Sequence, residues 1–115
     1  DMEFSYLIED HESFKLLKVN GNLTVLSSEL FERVIAQLSQ DSNVILDMSE
    51  LKLLTSAGID SIVNVSLYAR KHDKRVMILN LSSEYYSLAT TLNILDFLII
   101  IETLDEGIVK MKYYT

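Results

Sequence analysis

Residues 44–60 read VILDMSELKLLTSAGID and contain the signals that decide the fold. Residues 44–46 form a continuous apolar run that ends at Asp47, which is typical of a buried central strand. Apolar side chains at helical spacing then predict a helix over residues 56–71. A buried strand that leads directly into a helix is the repeating unit of a parallel α/β sheet.

The rest of the sequence repeats this alternation after an initial pair of strands. In chain order, we predict strands at 4–9 and 14–19, a helix at 30–38, the strand at 44–46, the helix at 56–71, a strand at 76–79, a helix at 85–92, a strand at 98–101 and a final helix through 108–111. The order β-β-α-β-α-β-α-β-α predicts an α/β fold with a mixed sheet of about five strands and about four helices.

Short polar segments mark the boundaries between these elements. Residues 11–13 are predicted to form a hairpin turn, and Asn20-Gly21-Asn22 is expected to interrupt the chain after the second strand. Ser27 or Ser28 can cap the first helix. Residues 103–106 read TLDE, a capping box that predicts the start of the last helix.

Composition excludes several classes of function. The 115 residues predict one domain, residues 1–115. Ten Lys and Arg against seventeen Asp and Glu give a net charge of −7, which disfavours nucleic acid and anionic lipid as partners. The longest apolar run, residues 97–101, is far shorter than the ~20 residues of a membrane span. The first residues lack a signal-peptide pattern and cysteine is absent, so a cytoplasmic protein is expected.

Enzymatic function is not expected from the residues present. Thr55-Ser56-Ala57-Gly58 lacks the glycine that precedes the serine of a hydrolase nucleophile elbow. The three glycines are too far apart for a phosphate-binding loop, and the two histidines lie in no metal-ligand cluster, so no cofactor or metal is expected. A receiver domain is excluded because Glu102-Thr103 follows the last strand where a receiver has lysine.

Function in open α/β sheets collects at the carboxyl ends of the strands, and Ser56 is predicted to lie there. Free backbone N–H groups and the helix dipole favour an anion at this position, and a phosphate on the Ser56 hydroxyl is the simplest one. The alternative is that Ser56 is an ordinary N-cap and that Gly58 allows close packing of helix and sheet.

The only basic cluster is Arg70-Lys71-His72-Asp73-Lys74-Arg75, at the other end of the same predicted helix. Cations at a helix C-terminus are favoured by its dipole, and we prefer this explanation to a docking patch for an acidic or phosphate-bearing partner.

The sequence resembles a known family at several points. DMSEL at residues 47–51 followed by TSAGI at residues 55–59 resembles the signature of STAS domains, the anti-sigma factor antagonist family. VNGNL at residues 19–23 is similar to the turn after the second strand in that family, and LDEGI at residues 104–108 is similar to its closing segment. The family usually carries an acid where this chain has Thr55.

The resemblance implies a non-enzymatic binding switch. In bacterial members a serine at the position of Ser56 is phosphorylated by a partner that is both an anti-sigma factor and a serine kinase. The unphosphorylated antagonist binds that partner, and a PP2C-type phosphatase resets the switch. The residues expected at the partner-binding face are Thr24, Ser27, Leu54, Thr55, Ser56, Ala57, Gly58, Asp60 and Asn64. Of these, Ser56, Asp60 and Asn64 have the i, i+4, i+8 spacing that predicts one outward stripe on the helix.

Two other functions stay open. STAS domains also serve as constitutive subunits of transporter or signalling assemblies, without control by a kinase. A crevice at the same strand ends is also a place where a small ligand can bind.

Overall fold

The computed structural model describes residues 3–114, so residues 1, 2 and 115 of the predicted domain lie outside the described residues. The strands are β1 (Phe4–Asp10), β2 (Lys15–Leu23), β3 (Val44–Leu54), β4 (Val76–Leu79) and β5 (Ile100–Ile101). The helices are α1 (Ser28–Ser39), α2 (Ser56–Lys71), α3 (Ser83–Thr91) and α4 (Leu104–Tyr113), with a 3-10 turn at Leu95–Phe97. The predicted order of strands and helices is confirmed.

The five described strands form one mixed sheet in the order β1-β2-β3-β4-β5. β1 is antiparallel to β2, and every other neighbouring pair is parallel. The His11 N–H donates to the Phe14 carbonyl at 2.9 Å and closes the predicted hairpin. Each parallel pair is joined by a helix, as a crossover connection requires. The predicted mixed α/β sheet is therefore confirmed.

The sheet has an apolar core on each face, because successive strand side chains point to opposite sides. Leu46 in β3 belongs to the larger core, which also contains Phe31 and Ile35 of α1 and Ile62 of α2. Ile45, the neighbour of Leu46, belongs to a smaller core with residues of β4, β5 and α4. These side chains are fully or almost fully buried, so the larger core holds α1 and α2 against one face of the sheet.

Two strands extend further than the sequence indicates. Asn20-Gly21-Asn22 was expected to interrupt the chain, but β2 runs through these residues to Leu23. Gly21 has a φ of +89°, and the pairing with β3 shifts register on both sides of it, so the glycine makes an irregular strand rather than a break. Likewise β3 does not end at Asp47 but continues to Leu54 alongside the extended β2.

Other predicted boundaries need smaller corrections. β5 contains only Ile100–Ile101 rather than residues 98–101. Ser27 occupies the N-cap position of α1 but makes no capping bond, because its hydroxyl faces the loop, where it accepts from the Thr24 N–H at 3.0 Å and donates to the Asn22 carbonyl at 2.7 Å. At α4 the Thr103 hydroxyl accepts from the Glu106 N–H, as a capping box predicts, but the Glu106 carboxylate accepts from the Glu102 N–H instead of the Thr103 N–H.

Candidate functional site

The turn between β3 and α2 is the centre of the candidate site. α2 begins at Ser56, and Thr55 is its N-cap, with the Thr55 hydroxyl accepting from the Gly58 N–H at 3.4 Å. The Thr55 N–H also donates to the Leu23 carbonyl at 3.2 Å, which ties the turn to the end of β2. The alternative in which Ser56 caps the helix is therefore wrong, because Thr55 performs that role.

This arrangement leaves the Ser56 hydroxyl available. The Ser56 side chain is exposed, and within residues 3–114 its hydroxyl makes no hydrogen bond. As the first residue of α2 it stands at the positive end of the helix dipole, where a phosphate is favourable. Thr55, in contrast, is half-buried and its hydroxyl is held within the turn. Of the two adjacent hydroxyl groups, Ser56 is the accessible one.

Gly58 sets how closely α2 approaches the sheet. A Cβ at this position would overlap the Leu23 carbonyl oxygen and lie 2.8 Å from Cδ1 of Leu54. Only glycine allows the first turn of α2 to pack against the ends of β2 and β3 in this way. The predicted close packing at Gly58 is confirmed, and this packing fixes the position of Ser56.

The predicted helical stripe is exposed. Ser56, Asp60 and Asn64 all have exposed side chains, one turn of α2 apart. The Asn64 amide contacts α1 by donating to the Glu32 carboxylate at 3.3 Å, so the stripe ends at the neighbouring helix. Ala57 beside it is half-buried.

Three predicted members of the partner-binding face have buried side chains. Leu54 packs in the larger core, and Thr24 and Ser27 are 4% and 6% exposed. The Thr24 hydroxyl accepts from the Leu26 N–H at 3.1 Å, and the Ser27 hydroxyl accepts from the Thr24 N–H at 3.0 Å. In this structure, Thr24 and Ser27 hold the shape of the loop between β2 and α1.

The loop exposes two residues that the sequence analysis missed. Val25 and Leu26 are 72% and 70% exposed, in the loop between β2 and α1. This loop begins directly after Leu23, whose carbonyl accepts a hydrogen bond from the Thr55 N–H. The sequence does contain a signal for them. They are two adjacent apolar residues in a predicted connection, and they fit the spacing of neither a helix nor a strand.

Comparison with known proteins identifies the fold family. A family model for the STAS domain matches residues 5–107, most of the chain. The chain belongs to the STAS domain family. No curated protein matches the sequence.

Solved STAS-like structures share the fold at low sequence identity. An anti-sigma factor antagonist from Mycobacterium paratuberculosis has a TM-score of 0.80 at 17% identity, covering 96% of this chain and 95% of that one. The phosphorylated form of the Bacillus cell fate determinant SpoIIAA has a TM-score of 0.66 at 15% identity, covering 92% and 98%. The murine anion transporter Slc26a9 has a TM-score of 0.74 at 16% identity, covering 98% of this chain and 22% of the transporter. These similarities establish the fold.

A buried carboxylate lies between two strands of this STAS domain. Asp47 of β3 is 8% exposed, and one of its oxygens accepts from the Asn80 amide and from the Ser49 N–H, both at 3.0 Å. Burial acts to raise the pKa of the Asp47 carboxyl, but these hydrogen bonds and the nearby Lys18 ammonium outweigh it and hold the pKa below its usual 3.8. Asn80 adopts a φ of +62° directly after β4, so the contact also fixes the end of that strand.

The lowered pKa of Asp47 predicts a pH-dependent stability. The unfolded chain binds this proton more readily, so the ionised contact stabilises the fold above pH 3.8, and this contribution is lost as the pH falls below that value. Asp47→Asn keeps the shape and removes the charge, and we expect a loss of roughly 1–2 kcal/mol at neutral pH. Urea unfolding at several pH values should show the two proteins converging in acid. If the difference in unfolding free energy between the two proteins stayed constant down to the lowest pH, the stabilising role of the ionised Asp47 would be contradicted.

The strand ends also carry a shallow groove, away from Ser56. It has a volume of about 410 Å³ and is lined by the segment after β4, by Tyr86 of α3 and by the end of β5. Among residues 3–114, no three His, Asp or Glu side chains form a group able to hold a metal ion. In that part of the chain no helix is both long and apolar enough to cross a membrane.

Proposed function

We propose that this STAS domain is an anti-sigma factor antagonist whose binding is switched by phosphorylation of Ser56. The observation that carries the proposal is the exposed, unbonded hydroxyl at the start of α2, beside a threonine whose own hydroxyl is occupied. The similarity to SpoIIAA, which has been solved in a phosphorylated form, supports the same interpretation. The proposed partner is an anti-sigma factor with serine kinase activity, and a PP2C-type phosphatase reverses the modification.

The switch works through charge and needs no change of fold. A phosphate on Ser56 adds about −1.5 to −2 charges one helical turn from Asp60. The positive end of α2 stabilises that charge in the free protein. In a desolvated interface the same charge has no partner, and a mismatched charge there costs several kcal/mol. Phosphorylation therefore releases the partner while the domain stays folded.

We call Val25, Leu26, Ser56, Asp60 and Asn64 the switch face, and its composition is that of a transient protein interface. It combines two exposed apolar residues, Val25 and Leu26, with the exposed polar residues Ser56, Asp60 and Asn64. The domain acts by binding, has no catalytic residue of its own and works in the cytoplasm.

A change in the apolar residues of the switch face should weaken partner binding without affecting the fold. Leu26→Ser removes an exposed side chain, so we expect partner affinity to fall by about tenfold and thermal stability to stay within a few degrees of wild type. Leu7→Ser is the matched control, because Leu7 is 66% exposed on edge strand β1. Affinity is measured by calorimetry with the purified partner. An equal effect of both substitutions would remove Leu26 from the interface.

The second candidate function is a constitutive subunit of a transporter or signalling assembly. The observation in its favour is the similarity of almost the whole chain to part of the murine anion transporter. This function requires a stable interface that is indifferent to the charge at Ser56.

A capture experiment separates the two functions. Wild-type and Ser56→Asp proteins are used as baits in lysate of the native organism, and the captured proteins are identified by mass spectrometry. The proposal predicts a serine kinase of the anti-sigma type on wild type and its loss on Ser56→Asp. Equal recovery of a membrane transporter or scaffold on both baits would support the constitutive subunit instead.

A further inference from the structure

A second cavity lies at the end of α2 opposite to Ser56. It has a volume of about 220 Å³ and opens between the last turns of α2, the start of β4 and the 3-10 turn at Leu95–Phe97. Arg70 and Arg75 line it together with Tyr114. Ser56 and Arg70 are separated by fourteen residues of helix, or about 21 Å along its axis, so the cavity is distinct from the switch face.

The position of Arg75 is fixed from several sides. Its backbone N–H donates to the Asn43 side chain at 2.8 Å, and its carbonyl accepts from the Val44 N–H at 2.9 Å. One guanidinium nitrogen donates to the Lys74 carbonyl at 2.9 Å, and the guanidinium carbon lies 4.8 Å from the centre of the Tyr114 ring. The group is thus held in place with further N–H donors available, which lowers the entropic cost of binding a ligand.

Neither arginine of this cavity takes part in an ion pair within the described part of the chain. The chain has seventeen acidic residues and ten basic ones. In a chain with this excess of acids, two arginines that line one cavity without an ion pair are unexpected. Asp96 also lines the cavity, beside the apolar side chains of Phe97 and Leu98.

We propose that this cavity binds a small organic anion. Its carboxylate or phosphate group pairs with the guanidinium groups of Arg70 and Arg75, which provide the donor geometry that these anions require. The apolar body packs against Phe97 and Leu98, and Asp96 accepts a hydroxyl or ammonium group. A volume of about 220 Å³ limits the ligand to metabolite size.

The test is an NMR titration of backbone amides with three probes of one shape. Phenyl phosphate and benzoate carry the two anionic groups, and benzyl alcohol is the neutral counterpart. We expect saturable shifts for the anions at residues 75–76, 97–99 and 114, with amides of the switch face unchanged. The tighter of the two anions identifies the preferred group. Absence of saturable binding by either anion, or equally tight binding of benzyl alcohol, would overturn the proposal.

Charge-removing variants locate the site. Arg70→Gln and Arg75→Gln should each weaken anion binding by about tenfold, because each removes a charge-assisted hydrogen bond. Lys71→Gln is the matched control, since Lys71 is exposed in the same helical turn but does not line the cavity. Arg70 is exposed on α2, so its variant keeps the test valid if Arg75→Gln fails to fold. An equal loss in all three variants would show general charge attraction and overturn the proposed site.

Discussion

Replacing Ser56 by Asp is expected to weaken binding to the proposed anti-sigma kinase by roughly 100-fold or more, whereas Ser56→Ala is expected to bind like wild type. The aspartate places a permanent negative charge on an exposed side chain at the first residue of α2. In the proposed complex that charge would be desolvated without a partner. The alanine only removes a hydroxyl that makes no hydrogen bond within residues 3–114. Affinities are measured by calorimetry with the purified partner.

The chain offers a matched control for this result. Ser83 is the exposed first residue of α3, directly after the N-cap Ser82, so Ser83→Asp adds the same charge at the equivalent position of another helix. We expect Ser83→Asp to bind the partner like wild type. Loss of binding in both aspartate variants would mean that overall charge matters rather than Ser56. Wild-type affinity in Ser56→Asp would rule out the switch.

Gly58→Ala is expected to destabilise the domain by about 3 kcal/mol and to lower its melting temperature by roughly 10 °C. The added Cβ overlaps the Leu23 carbonyl oxygen, which is backbone and cannot rotate away. α2 must therefore move away from the end of β2. Because the same contact positions Ser56, partner affinity should fall as well. Thermal unfolding followed by circular dichroism measures the first effect and calorimetry the second.

Gly107→Ala is the control for the steric argument. Gly107 is also a buried helical glycine, but its nearest obstacles are the methyl ends of Ile101 and Ile45, at 2.8 and 3.2 Å. These side chains can adjust, and alanine gains about 1 kcal/mol of helix propensity over glycine. We therefore expect the free energy of unfolding of Gly107→Ala to be close to that of wild type. If Gly58→Ala is as stable as Gly107→Ala, the close approach of α2 to β2 is not the constraint described.

The fold was predictable because its signals are local. The runs at 44–46 and 76–79 identify buried strands, and helical spacing over 56–71 identifies α2. The extension of β3 from Asp47 to Leu54 was not predictable, because it depends on pairing with the far part of β2. Local sequence does not contain that register.

The candidate site was predictable in position but not in detail. Helical spacing correctly places Ser56, Asp60 and Asn64 on one exposed stripe. Which hydroxyl caps α2 was not predictable, since Thr55 and Ser56 are both good caps. Thr55 takes the role in a turn that long-range contacts with Leu23 hold in place.

In the loop between β2 and α1, the sequence also did not show which side chains are buried. Thr24 and Ser27 are polar and were expected at the surface of the site, yet the loop buries them, and their hydroxyl groups satisfy its own backbone donors. Val25 and Leu26 have the exposed side chains instead. Burial in a loop without periodicity follows from its internal hydrogen bonds, which composition does not reveal.

Site-resolved mass spectrometry of the native protein, separated into its free and partner-bound fractions, tests whether phosphorylation of Ser56 controls binding. We expect phosphate on Ser56 in the free fraction and an unmodified Ser56 in the bound fraction. Thr55 should be unmodified in both. Equal phosphate occupancy of Ser56 in the two fractions, or phosphate on Thr55 in its place, would contradict the proposed switch.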